Sequence, residues 1–236
     1  MKTIGLIGGM SWESSIEYYR IINQEVQKKL GGLHSAKSVM VSVDFAELET
    51  LQKAGNWLEA GELMATAARS LELGGADFVI LCTNTMHKLT SRIQKSINIP
   101  FLHIADATAV RVTQTGLHRV GLLGTRFTME EDFYKGHLIE KYGLDVLVPE
   151  VEQRILIHDV IYHELCTGFI NPSSRTAFSR IMGELVQKGA EGIILGCTEI
   201  GLLVNQADCP VMIFDTTRIH AETAVDFAMH PGNSIS

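Results

Sequence analysis

An internal repeat narrows the possible folds most. Ile4-Gly-Leu-Ile-Gly-Gly-Met is matched by Val120-Gly-Leu-Leu-Gly-Thr-Arg 116 positions later. Gly75-Ala-Asp-Phe-Val-Ile-Leu is matched by Gly189-Ala-Glu-Gly-Ile-Ile-Leu 114 positions later, and Thr83 and Cys197 share that second offset. Ile99-Pro-Phe-Leu-His-Ile-Ala-Asp-Ala-Thr finds its counterpart, in the same order, in Cys209-Pro-Val-Met-Ile-Phe-Asp-Thr-Thr. Ordered matches at a nearly constant offset describe two similar half-chains, each of roughly a hundred residues, an ordinary size for a compact unit.

Within each half, short apolar runs alternate with longer amphipathic ones. Candidate strands are Thr3–Ile7, Val39–Asp44, Phe78–Cys82, Phe101–Ile104, Val120–Leu123, Asp145–Val148, Gly192–Leu195 and Val211–Phe214. The runs around Ile80 and Ile194 are apolar without alternation, as strands covered by helices on both faces must be. Strand–helix alternation of this kind predicts an α/β fold: two similar Rossmann-like lobes with mainly parallel sheets. Ser14-x-x-Glu17 reads as a capping box, followed by Ile16, Tyr19, Ile22, Val26 and Leu30 at helical spacing, with Gly31-Gly32 ending the helix.

Ligands of open parallel sheets bind beyond the carboxyl ends of the strands. Here those ends carry Gly8-Gly9-Met10-Ser11, Thr83-Asn84-Thr85, Gly124-Thr125-Arg126 and Cys197-Thr198-Glu199. If the two carboxyl edges face each other, Thr83 and Cys197 approach one ligand from opposite sides of a cleft between the lobes.

Composition removes several alternatives. The chain is 46% hydrophobic and 20% charged with a net charge of −7, which suits a globular protein and not a nucleic-acid binder. No run approaches the ~18 apolar residues of a membrane helix. Glycines interrupt the apolar start MKTIGLIGGM, which is not the pattern of a signal peptide. Cys82, Cys166, Cys197 and Cys209 lie far apart with no CxxC, so free thiols and a cytoplasmic location are expected, with neither a disulfide frame nor a zinc site. The tail from His230 to Ser236 is polar, punctuated by glycine and proline, and expected to be disordered.

The motifs differ in what they allow. Gly8-Gly9-Met10-Ser11 lacks the G-x-G-x-x-G spacing of a dinucleotide site. Its glycines serve either a small anion held at a helix start or the needs of a tight turn. Cys82-Thr-Asn-Thr-Met-His-Lys offers no arginine and no glycine, so it is not a phosphatase loop. Cys197, preceded by Gly196 at a strand end, has the setting of a reactive cysteine, and a helix start beside it would favour the thiolate. Cys82 reads as core, and Cys166 and Cys209 as inert. His87, His103 and His220 show no metal-ligand spacing; the last two read as satisfied or solvent-facing. His87, four residues after Thr83, either orients a carboxylate, relays a proton, or is structural.

At these residues the chain resembles the aspartate/glutamate racemase family over nearly its whole length. The resemblance rests on a GGM-S start, an N-T-x-H motif after the third strand, a GT loop at mid-chain and a GCTE motif near the end. It implies racemisation by two bases, one on each face of the α-carbon, without pyridoxal phosphate or metal, and usually a homodimer. It implies lobes of 1–103 plus 212–236 and of 104–211. It assigns Thr83 and Cys197 to catalysis, and Met10, Ser11, Gln52, Asn84, Thr85, His87, Thr125, Thr198 and Glu199 to holding a dicarboxylic amino acid.

One departure matters. The family's first motif is ordinarily Cys-Asn-Thr, whereas Thr83 precedes Asn84 here, as in the members specific for L-aspartate and L-glutamate. Cys82 cannot substitute, because successive strand side chains point to opposite faces. Relatives also often place a substrate-pairing lysine in the stretch where this chain has Glu164-Leu-Cys166-Thr-Gly. A thiol of pKa ~8.5 ionises readily. A hydroxyl, closer in acidity to water at ~15.7, cannot wait as an alkoxide but can donate a proton to a carbanion. The expectation is Cys197 as base on the L-isomer and Thr83 as proton donor. Alternatives are a maleate isomerase or arylmalonate decarboxylase-like enzyme, and a non-catalytic amino-acid sensor.

Overall fold

The computed structural model describes residues 1–230, so most of the expected disordered tail lies outside the described residues. All eight expected strands are present. β1 (Ile4–Gly8), β2 (Ser38–Ser42), β3 (Phe78–Leu81) and β4 (Phe101–Leu102) form one parallel sheet in the order β2-β1-β3-β4. β5 (Arg119–Gly124), β6 (Asp145–Leu147), β7 (Gly192–Gly196) and β8 (Met212–Asp215) form a second in the equivalent order β6-β5-β7-β8. The repeat is therefore a repeat of topology. Helices α1 (Trp12–Leu30), α2 (Phe45–Lys53), α3 (Trp57–Leu73) and α4 (Thr90–Lys95) belong to the first half. Then come α5 (Ile104–Gln114), α6 (Arg126–Glu130), α7 (Lys135–Tyr142), α8 (Val151–His163), α9 (Pro172–Gln187), α10 (Ile200–Leu203) and α11 (Thr216–Met229).

The chain divides into two compact units, Met1–Ile104 with the chain from His220 onward, and Ala105–Ile219. The first crossing falls one residue from the expected 103/104. The return comes eight residues later than the expected 212, because β8 is hydrogen-bonded to β7 as the fourth strand of the second sheet, with Phe214 opposite Ile194. Only within α11 does the chain rejoin the first unit. There Ala221, Ala224, Val225 and Ala228 pack with Tyr18 and Ile22 of α1 and with Phe78 and Ile80 of β3.

Central strands β1, β3 and β7 are buried along their whole length, which explains their unbroken apolar runs. Alternate side chains of β3 serve opposite faces. Val79 and Leu81 join Met64, Ala68 and Leu71 of α3, while Phe78 and Ile80 join the α1 and α11 side. In the second unit, Leu123, Ile193 and Leu195 pack with Ile157 and Ile161 of α8 and Phe178, Ile181 and Leu185 of α9. Among the described residues, no helix is long and apolar enough to cross a membrane.

Helix α1 corrects the local expectation. Its N-cap is Ser11, whose side chain accepts from the Ser14 amide at 3.4 Å, so Ser14 is inside the helix and not its cap. The buried face carries Ser14, Ser15, Tyr18, Ile21, Ile22 and Val26, whereas Ile16, Tyr19 and Leu30 are exposed. Small serines occupy this face because the chain comes very close: a Cβ on Gly8 would lie 2.7 Å from the Ser15 hydroxyl. Gly31 does end the helix, its amide donating to the Gln27 carbonyl.

Candidate active site

In the first unit, Cys82 continues β3 into the core with Phe78, Ile80 and Tyr18 and is fully buried. The chain then turns as tightly as a backbone can, with the Thr83 amide donating to the Leu81 carbonyl at 2.8 Å. The turn takes Thr83 out of the strand's alternation; it is 7% exposed and belongs to none of the apolar clusters described above. Asn84, Thr85 and His87 are also buried, and residues Thr85–Leu89 form a 3-10 turn. The His87 ring bonds the Thr83 carbonyl through Nδ1 at 2.7 Å and the Ile104 amide through Nε2 at 3.2 Å.

The glycine loop is tied to the same strand edge. Ser14 Oγ donates to the carbonyls of Ser11 (3.0 Å) and Cys82 (3.3 Å), and Ser15 Oγ donates to Ser11 O while accepting from the Gly9 amide. Gly9 has φ +96°, and a Cβ there would lie 2.1 Å from the Val43 carbonyl oxygen. Both glycines are required by close packing of the loop, Gly8 against Ser15 and Gly9 against Val43. Gln52, buried in the last turn of α2, donates to Met86 Sδ at 3.0 Å, so it too reaches the Thr83–Leu89 segment. Met10 and Ser11, which follow the glycine loop, are buried at the start of α1.

The second unit repeats the arrangement with different chemistry. Gly124 and Gly196 are register partners, so Thr125 and Cys197 leave neighbouring strands at the same level. A Cβ on Gly196 would meet Leu122 Cδ1 at 2.7 Å and the Leu123 carbonyl at 3.0 Å, which is why glycine precedes the cysteine. Thr125 caps α6, its hydroxyl accepting from the Thr128 amide at 3.3 Å. Arg126 turns toward Glu130 at 3.6 Å. Cys197 Sγ donates to Glu199 Oε2 at 3.0 Å, and the Thr198 hydroxyl donates to the same oxygen at 2.7 Å. All three are buried. Thr216 and Thr217 brace the loop by donating to the carbonyls of Leu195 (2.7 Å) and Thr198 (3.3 Å).

A family model described as Asp/Glu/Hydantoin racemase matches residues 7–224. The chain belongs to that family. It is a racemase, hence an isomerase. A protein of Yersinia pestis provisionally assigned as an Asp/Glu racemase has a crystal structure with TM-score 0.90 and 53% identity, covering 98% of this chain and 100% of that one. An aspartate racemase homologue from Pyrococcus horikoshii OT3 gives TM-score 0.82 and 33% identity, covering 98% and 100%. The broad specificity amino-acid racemase of Bacillus subtilis is 24% identical over 170 residues, 71% of each chain.

The surroundings of Cys197 do not favour a thiolate. Burial pushes this thiol well above its usual range, the adjacent Glu199 charge pushes it further, and Cys166 adds to the effect. Helix α10 is only four residues long and offers little dipole to oppose this. Cys166 is thus not remote: it sits in the 3-10 turn Leu165–Thr167, packed against the cluster that holds Cys197. Cys82 is also raised, by burial alone, as a core thiol should be. His220 is buried and satisfied, with Nδ1 toward the Tyr18 hydroxyl at 2.9 Å and Nε2 toward the Leu102 carbonyl at 3.0 Å. His103 is buried beside His87, with ring centroids 4.5 Å apart, so it is not solvent-facing. The supporting roles of Ser14, Ser15, Thr216 and Thr217 were missed in the sequence. The one available signal was the stretch Asp215-Thr-Thr, the counterpart of Asp106-Ala-Thr in the first half.

Proposed function

We propose that this racemase interconverts the enantiomers of an acidic amino acid, aspartate or glutamate, using one thiol and one hydroxyl and no cofactor. Cys197 removes the α-proton from the L-isomer, and Thr83 returns a proton on the opposite face. The observation that carries this reading is the inequality of the two equivalent strand-end positions: a buried hydroxyl at Thr83 and a buried thiol bonded to Glu199 at Cys197. The names of the Yersinia and Pyrococcus relatives favour an acidic substrate.

The resting thiol is held neutral, with Glu199 already in place to accept its proton. A substrate ammonium brought close supplies the opposite charge that favours ionisation. Met10, Ser11, Gln52, Asn84, Thr85, Thr125 and Thr198 hold the carboxylates and the amine in this reading. The homodimer implied by the resemblance belongs to the same proposal and is checked by light scattering. A hydroxyl cannot serve as resting base, so the D-isomer is the handicapped substrate. Solvent deuterium uptake at Cα, followed separately for L- and D-aspartate and for L- and D-glutamate, tests the scheme. Faster exchange from L is expected; equal rates from both enantiomers reject the asymmetric assignment, and no exchange at all rejects an acidic amino acid as substrate.

A further inference from the structure

We infer that His87 is a positioning residue: it clamps the Thr83 carbonyl with one ring nitrogen and the first amide of α5 with the other, and so fixes the backbone that aims the Thr83 hydroxyl. This inference rests on the proposed role of Thr83.

The tautomer follows from the partners. The Thr83 carbonyl has no proton to give, so Nδ1, 2.7 Å away, carries the hydrogen and donates. The Ile104 amide always carries its proton, so Nε2, at 3.2 Å, is the bare acceptor. Each assignment requires the other, because a neutral imidazole has one donor and one acceptor. With both nitrogens committed to main-chain groups that do not titrate, no nitrogen is left to bind a substrate carboxylate or to relay a proton to the Thr83 hydroxyl.

The surroundings keep the ring neutral. His87 is 2% exposed and packs edge-on to His103, with Phe101 at 5.6 Å and His220 at 6.0 Å between centroids. Burial lowers its pKa well below the usual value, His103 and His220 lower it further, and the Thr83 and Asn84 carbonyls only partly oppose this. The nearest titratable groups on neighbouring elements are therefore those two histidines, with Tyr18 behind His220.

The clamp bears on the reaction because Thr83 is pinned on both sides of its Cα, by Leu81 at its amide and by His87 at its carbonyl. A β-branched side chain has little χ1 freedom, so a fixed backbone gives a fixed hydroxyl direction. A weak acid that must protonate a short-lived carbanion depends on that alignment, and a displacement near 1 Å costs about 100-fold. Cys197, in the other unit, has its own supports and does not draw on this clamp.

The test separates the two faces of the reaction. With L-aspartate or L-glutamate in deuterated water, recovery of labelled L-isomer reports the thiol step alone, and formation of D-isomer reports transfer from Thr83. His87→Leu, which fills the space and makes neither bond, is expected to lower inversion about 10-fold or more beyond its effect on exchange with retention. His87→Gln, which keeps a donor and an acceptor, recovers part of the loss and carries the comparison if His87→Leu does not fold. Parallel loss of both rates, or loss of neither, overturns the inference. So does an inflection in the wild-type inversion pH profile that His87→Leu abolishes, since that is a relay. If wild-type protein exchanges neither acid, the proposed substrate falls. The clamp is then judged by the 15N shifts of the His87 ring, which must show Nδ1 protonated and Nε2 bare between pH 6 and 8.

Discussion

At the scale of single residues, Cys197 and Glu199 set the terms. A thiol this deeply buried beside a carboxylate should be slow to ionise, so its alkylation, followed by mass spectrometry of the Cys197 peptide, is expected to have a midpoint well above the ~8.5 of a free cysteine. Glu199→Gln removes the charge that is the second cause of that shift, and the midpoint should move down; an unmoved midpoint means burial acts alone. For turnover, Cys197→Ala is expected to abolish exchange from the L-isomer. Thr83→Cys should raise exchange from the D-isomer by at least ~10-fold, because a thiol ionises where a hydroxyl does not. If D-exchange stays unchanged in Thr83→Cys, Thr83 does not face the α-carbon. These residues were legible from the repeat, but the state of the thiol was not. A strand end followed by a polar motif looks the same in sequence whether a carboxylate two residues on faces the sulfur or faces away.

At the scale of elements, the strand–turn–helix units hold the motifs through close approaches that only small residues allow. Gly9→Ala places a Cβ against the Val43 backbone at a positive φ. It should destabilise the protein by more than ~1 kcal/mol, read as a lowered urea midpoint with an unchanged m-value. An unchanged midpoint would mean the β1–α1 turn can rearrange freely. All eight strands could be read from apolar runs because buried parallel strands leave that pattern whatever packs on them. The cap of α1 was misplaced by three residues because both Ser11 and Ser14 satisfy the local rule. The choice fell to Ser11 because Ser14 is needed to bond the Ser11 and Cys82 carbonyls. The burial face of α1 was displaced for the same reason: the strand edge demands the serines, so Ile16 and Tyr19 turn outward.

At the scale of the whole molecule, buried neutral histidines make the fold sensitive to acid. In the unfolded chain His220 takes a proton near 6.5, whereas burial lowers its pKa to about 4 in the fold. Between those values the unfolded state binds more protons, so stability falls as pH falls from about 6.5 toward 4. A shift of that size corresponds to roughly 3 kcal/mol when fully expressed. His87 contributes with the same sign. The urea midpoint should be clearly lower at pH 5 than at pH 7.5, and a His220→Gln variant should flatten that difference. A midpoint independent of pH across this range is the opposing result.

The amino-acid sequence by itself determined the two-fold repeat, the α/β class, the places of the eight strands, and the inequality of Thr83 and Cys197. Each of these is written in local composition and spacing, which no distant contact can change. Tertiary structure alone decided where the chain returns to the first unit, because β8 chooses its sheet by hydrogen-bonding to β7. It also decided that the Cys197 thiol is suppressed and that both nitrogens of His87 are spent on main chain. Burial and hydrogen-bond partners depend on residues far apart in sequence, Thr83 with His87 and Ile104, or Leu195 with Thr216. Their effect on a proton is fixed only once the chain has brought them together.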